Sequence, residues 1–132
     1  MNNIPSRKFV PAIIWFLIVM VLLFTPGSDL PKVDNWFNIP FFDKYVHVGI
    51  FAVLAFLFMY PFIKSDISPK SKRQYFIRIA LAASVWGLTS EFIQLFFVEG
   101  RSFDLLDWAA DSVGAALALF YCIRSNTSTN VN

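Results

Sequence analysis

TSEFIQLFFVEGRSFDLLDWAADSVGAALALF, Thr89–Phe120, is the stretch on which the fold turns. Two apolar runs flank a short break, yet Glu91, Gln94, Arg101, Asp104, Asp107 and Asp111 interrupt them. A helix of ~20 mostly apolar residues crosses a bilayer. Read that way, the stretch is a hairpin of two spans that carries charge into the hydrocarbon layer. A charged side chain at mid-depth costs several kcal/mol against lipid, so these groups are expected to face other helices or a wet recess.

Working outward, the third span covers Tyr75 to Val98 and the fourth Leu105 to Ile123. Two cleaner apolar segments precede them, Phe9 to Pro26 and Tyr45 to Ile63. The composition agrees. The 132 residues are 57% hydrophobic and 15% charged, against about 25% charged in soluble domains. The first segment follows Arg7 and Lys8 as a signal peptide would, but TPGSDL after it lacks a small-x-small cleavage site, so it reads as a retained anchor. The expected architecture is all-α: a four-helix transmembrane bundle formed by one domain, residues 1–125, with 126–132 as a disordered polar tail.

Arg7, Lys8, Lys64, Lys70, Lys72, Arg73, Arg78 and Arg124 would lie on one side, and only Lys32, Lys44 and Arg101 on the other. The positive-inside rule then places both termini in the cytoplasm. The longest outer connection, Gly27 to Phe42, holds Trp36, Phe37, Phe41 and Phe42, which suit a headgroup-level belt or a lid. A net charge of +2 gives no case for nucleic acid, and the single cysteine, Cys122, excludes an intramolecular disulfide.

Spacing gathers the polar residues. Glu91 and Gln94 are i, i+3; Asp104, Asp107 and Asp111 are i, i+3 and i+7; Asp43 and His47 are i, i+4. Each set lies on one stripe of its helix. Glu91 and Asp111 each lie seven residues inside their spans, ~10 Å in at 1.5 Å per residue. The simplest arrangement is an outward-facing polar pocket holding Asp43, Lys44, His47, Glu91, Gln94, Arg101, Asp104, Asp107 and Asp111. Plainer roles exist: Asp104, Asp43 or Ser102 could cap helices, Lys44 could meet headgroups, and Arg101 could neutralise Asp104 or Asp107. No cap accounts for the depth of Glu91, Asp107 and Asp111. Gly114, Ala115 and Ala116 read as small residues for close helix contact.

The motifs TP at Thr25–Pro26, DKYVHVGIF at Asp43–Phe51, SEFIQ at Ser90–Gln94, GRSFDLLD at Gly100–Asp107 and DSVGA at Asp111–Ala115 resemble, in order and spacing, the VanZ-like family of small bacterial membrane proteins. Asp111 stands where the family's usual pattern has Asn. The resemblance implies a polytopic protein of the cytoplasmic membrane, in a family whose founding member is associated with teicoplanin resistance. It carries the family's polar set onto Asp43, Lys44, His47, Glu91, Gln94, Arg101, Asp104 and Asp107.

Three functions fit these residues. In the first, Asp43, Lys44, His47, Glu91, Gln94, Arg101 and Asp104 bind a lipid headgroup, a lipid-linked cell-wall intermediate or a lipoglycopeptide, without a cofactor. In the second, an intramembrane enzyme acts on a lipid-linked phosphate, with His47, Glu91, Asp107 and Asp111 as its catalytic groups: His47 as base, coupled carboxylates, and Mg²⁺ held by Glu91, Asp107 and Asp111. In the third, a buried ion network fixes helix register. Four short helices are thin cover for a site, which makes a homo-oligomer plausible.

Overall fold

The computed structural model describes residues 3–29 and 39–128. Four helices carry the fold: α1 (Val10–Phe24), α2 (Phe42–Ile63), α3 (Pro69–Phe97) and α4 (Leu105–Ser128). All four are long and apolar enough to cross a membrane, α1 together with the 3-10 turn Ser6–Phe9 that leads into it. Among the described residues there is no strand.

Local chemistry sets where each helix starts and stops. Pro11 sits in the first turn of α1, where its missing N–H costs nothing. Pro26 ends that helix by forcing Thr25 into an extended conformation, with ψ of 131°. The Thr25 amide and hydroxyl then both donate to Val21 O, at 3.0 and 2.5 Å. α3 opens on Ser68, whose hydroxyl accepts from the Ser71 amide, followed by Pro69 in the first turn. Gly100, at φ of 74°, supplies the left-handed turn between α3 and α4. Phe41 holds φ of 59° at the start of α2, a conformation that strains a non-glycine residue by about 1–3 kcal/mol.

α2 and α4 pack most closely, α3 lies against α4, and α1 leans on α2. Small residues permit the α2–α4 approach: a Cβ on Gly114 would sit 2.3 Å from Val48 O and 2.8 Å from Ala52 N. Ala115 is buried with Gly114, whereas Ala116, expected beside them, is exposed. The core between the helices holds Phe51, Leu54, Met59, Phe76, Ala118 and Cys122. Outside it, Leu17, Val21, Leu81, Val85, Phe96 and Phe120 are exposed, as residues facing acyl chains would be.

The described ends of the chain meet at one end of the bundle. Arg7 and Lys8 share a crevice with Tyr60 and Lys64 at the end of α2, and Asn126 Nδ2 donates to Pro69 O at the start of α3. This end is basic; the other, with the α3–α4 turn, is acidic. Three element bounds lie furthest from the sequence reading. α3 begins at Pro69 rather than Tyr75, because a cap and a proline start it inside the polar KSKRQ segment. α2 begins at Phe42 rather than Tyr45. α4 continues to Ser128, so Asn126 and Thr127 are helical rather than tail; residues 129–132 lie outside the described residues. So do Trp36 and Phe37 of the expected belt or lid, while Phe41 is exposed and Phe42 half-buried.

Candidate functional site

The acidic end is built in layers. At the rim, the Asp43 and Asp104 side chains are 65% and 37% exposed; below them Lys44 and Asp107 fall to 16% and 13%. Deepest are His47, Ser90, Glu91, Gln94 and Asp111, all buried, Glu91 and Asp111 completely. Exposure thus declines from solvent to core along helices that are otherwise apolar. The polar residues form a layered cluster whose solvent side is spanned by the Lys44 ammonium.

Lys44 is the hub of the upper layer. Its Nζ donates to Asp43 at 2.7 Å, to Asp104 at 2.5 Å and to Asp107. One turn of α2 and the first turn of α4 are thereby cross-linked. Asp104 has a second task, as the N-cap of α4: its Oδ1 accepts the Leu106 amide at 2.8 Å. The ammonium beside Asp104 holds its carboxyl below the usual carboxylate range.

The lower layer joins three helices. His47 Nδ1 on α2 lies 2.7 Å from Asp111 Oδ1 on α4, and His47 Nε2 lies 3.7 Å from Asp107 Oδ2. Glu91 on α3 accepts the Asp104 amide through Oε2 at 2.9 Å. Glu91 Oε1 and Asp111 Oδ2 are buried without a hydrogen-bond partner among the described residues. His47, Glu91 and Asp111 each offer one ligand atom to a group whose members lie within 4.8 Å of one another; Asp43, Asp104 and Asp107 form a second such group. The equal depth expected of Glu91 and Asp111 is only approximate. Asp111 sits against Gly87, where a Cβ would meet Oδ2 at 2.8 Å, about one turn deeper on α3 than Glu91.

Two residues of the expected pocket turn elsewhere. Gln94 Nε2 donates to Leu23 O at 2.6 Å, and Arg101 Nη2 to Thr25 O at 3.4 Å. Both capture carbonyls at the end of α1, so they hold that helix against the cluster. Arg101 makes no ion pair with Asp104 or Asp107, and its Nε is buried without a partner.

Ser90 and Gly87 belong to the site but were not read as part of it. Ser90 donates to Gly87 O at 2.7 Å, and Gly87 leaves the space Asp111 fills. A signal existed, since Gly87 precedes Glu91 by four residues on one stripe and glycine inside a helix costs about 1 kcal/mol relative to alanine. Beneath the cluster, toward the bilayer centre, a cleft of about 300 Å³ opens between α1, α2 and α3, lined by Phe16, Leu54, Phe58, Ile79, Ala83 and Trp86. Trp86 Nε1 is buried with no acceptor among the described residues.

The VanZ/LLP1 family model matches residues 8–126, which takes in all four helices almost end to end. The chain belongs to the VanZ/LLP1 family. It is a multi-pass membrane protein of that family, built on four spans. An uncharacterized protein of the fission yeast Schizosaccharomyces pombe is 33% identical over 113 residues, 86% of this chain and 62% of that protein. This VanZ/LLP1 chain therefore spans less than two thirds of the length of that relative. No solved structure matches it significantly.

Proposed function

We propose that this VanZ/LLP1 protein resides in a bacterial cytoplasmic membrane with both termini in the cytoplasm. Its acidic recess faces outward and binds the head of a lipid, a lipid-linked cell-wall precursor or a lipoglycopeptide. The orientation rests on the eight cations of the basic end and the preference of Lys and Arg for the cytoplasmic side. Capture of the drug, or of the lipid it needs, would lower teicoplanin susceptibility.

The observation that carries the reading is the burial of His47, Glu91 and Asp111, drawn from three helices, with two carboxylate oxygens unpaired. A network serving stability alone would be expected to satisfy its acceptors, since an unmet buried polar group costs about 1–3 kcal/mol. The cleft below supports an amphiphilic ligand. It is apolar and is lined by Trp86, about 7.5 Å along α3 from Glu91 at 1.5 Å per residue, whose Nε1 is shielded and has no acceptor among the described residues. A tail would lie in the cleft with an ester or amide carbonyl on the indole.

Charge narrows the head. Among the described residues, Asp43, Glu91, Asp104, Asp107 and Asp111 pair with Lys44 and His47 or with neither, and Lys44 is already shared among three carboxylates. The recess accepts positive charge: an amine on the head, or a divalent ion accompanying its phosphate.

The test compares the unmutated protein with Glu91→Gln and Asp111→Asn, both near-isosteric. Lipid binding is followed by native mass spectrometry, teicoplanin susceptibility in cells, and thermal stability alongside. Loss of binding and of protection, with folded protein still in the membrane, is the expected result. Parallel loss of stability with no separate loss of binding would leave only a structural role.

The 2.7 Å contact between His47 and Asp111 favours a second reading, hydrolysis of a lipid-linked phosphate. Asp111 would orient His47, which takes a proton from water as the water oxygen bonds to phosphorus and the lipid alkoxide leaves. Glu91 and Asp107 line the same space. Phosphate release from lipid phosphates, measured with and without Mg²⁺ and abolished in Glu91→Gln, would establish it.

A further inference from the structure

We propose that His47 on α2, Glu91 on α3 and Asp111 on α4 form a binding site for one divalent transition-metal ion, with zinc as its expected occupant. The site deepens the amphiphile reading and rests on the same three side chains. Metal uptake by the lipid-free chain is measured without any lipid, so the failure of one is distinguishable from the failure of the other.

Three observations converge on it. The ligand atoms of these three side chains lie within 4.8 Å of one another, and all three residues are buried. Glu91 Oε1 and Asp111 Oδ2 each lack a hydrogen-bond partner among the described residues, although both residues are fully shielded from solvent. His47 Nδ1 and Asp111 Oδ1 are 2.7 Å apart. Two ligands bonded tetrahedrally to one zinc at about 2.0–2.2 Å lie about 3.3–3.6 Å from each other, so this pair has to open by about 0.6–0.9 Å to admit the ion. A single cation would then serve both orphaned carboxylates.

The donor set selects the metal. One imidazole and two carboxylates suit zinc or its first-row neighbours. Magnesium keeps an octahedral shell of oxygens and several waters, and calcium takes six to eight oxygens. Neither matches a dry group of three side chains that includes a histidine. Two carboxylates also cancel the charge of a divalent ion, which matters more below a membrane surface than at a wet one.

The other acid group, Asp43, Asp104 and Asp107, does not compete for the ion. Lys44 Nζ already lies within bonding distance of all three residues, standing where a cation would stand. Asp107 Oδ2, 3.7 Å from His47 Nε2, borders the deep site on its rim side. Three protein ligands leave a fourth position open, as in zinc sites that bind a further molecule.

The full chain, purified in detergent and stripped with a chelator, would be titrated with Zn²⁺ and with Mg²⁺, and bound metal counted by elemental mass spectrometry. One zinc per chain is expected, held at least about 100-fold more tightly than magnesium. His47→Ala and Asp111→Asn should each weaken zinc by roughly 100-fold or more, since even outer-shell partners are worth about 10–100-fold. Glu99→Gln, an exposed acid at the same end, should leave it unchanged. Co²⁺ supplies a readout independent of how the variants fold: the unmutated chain should show a visible ligand-field band that one equivalent of zinc removes. No cobalt band and no stoichiometric zinc in the unmutated chain would overturn the assignment, as would His47→Ala binding zinc as tightly as the parent.

Discussion

The two ends of this bundle handle charge in opposite ways. At the basic end Arg7, Lys8, Lys70, Arg73 and Arg78 are exposed. Lys64 rests over the Tyr60 ring at 5.9 Å, and Lys72 caps the Ile63 carbonyl at 3.0 Å. Long aliphatic stems let such groups reach water from the edge of a span. At the acidic end Glu91 and Asp111 are completely buried, on short side chains that cannot reach out. Their charge has to be met by another helix or by a ligand. Charge at the basic end records topology, while charge at the acidic end records which helices must meet and at what register.

Breaking that register should produce the largest effect. Gly114 lies where α4 comes close to α2, with Val48 O and Ala52 N against the position of a Cβ. Its neighbours are backbone atoms, which cannot rotate away. Gly114→Leu would force the helices apart and pull Asp107 and Asp111 from Lys44 and His47. The expected loss exceeds the about 1–3 kcal/mol typical of overpacking, read as failure to accumulate in the membrane or a collapse of thermal stability in detergent. Normal accumulation and stability would mean that the α2–α4 seam does not position the cluster.

The next largest effect compares a cation from each end. Lys44→Met leaves Asp43, Asp104 and Asp107 without their shared partner, and uncompensated charges of this kind cost about 3–5 kcal/mol when buried. Because Asp43 and Asp104 stay partly solvated, the expected loss is at the lower end, about 3 kcal/mol. Lys70→Met at the basic end should stay within about 0.5 kcal/mol of the parent. Equal losses from the two, measured by unfolding in the same micelle, would dissolve the distinction between the ends.

The four spans were legible because length and apolarity suffice to recognise them. The stripes of acids were legible because helical spacing puts i, i+3, i+4 and i+7 on one face. Helix ends were not: a hydropathy pattern tracks the hydrocarbon layer, whereas Ser68 and Pro69 start α3 in water, and Asn126 holds α4 past its last apolar residue. Partner choice was also hidden. Arg101 and Gln94 share the acids' end of the chain, but the carbonyls freed where Pro26 stops α1 take them instead. Gly87 was overlooked because a missing side chain carries no chemistry until the residue that fills its place, Asp111, is known.

The smallest expected effect lies below the cluster, where the acidic end passes into plain apolar packing. Trp86 Nε1 has no acceptor among the described residues, while the ring packs on Phe16 at a centroid distance of 5.3 Å and on Phe24 at 6.5 Å. Trp86→Phe keeps an aromatic ring against both partners and removes the orphaned donor. In lipid-free detergent it should be neutral or stabilising by up to about 1 kcal/mol, because an unmet buried N–H is no longer carried. In bilayers the sign should reverse if a lipid carbonyl occupies the cleft, since the variant then gives up a hydrogen bond worth about 0.5–1.5 kcal/mol. Unfolding measured in both environments decides the matter. A reversal places an acyl ester beneath the acidic layer, and the same sign in both leaves the cleft as packing alone.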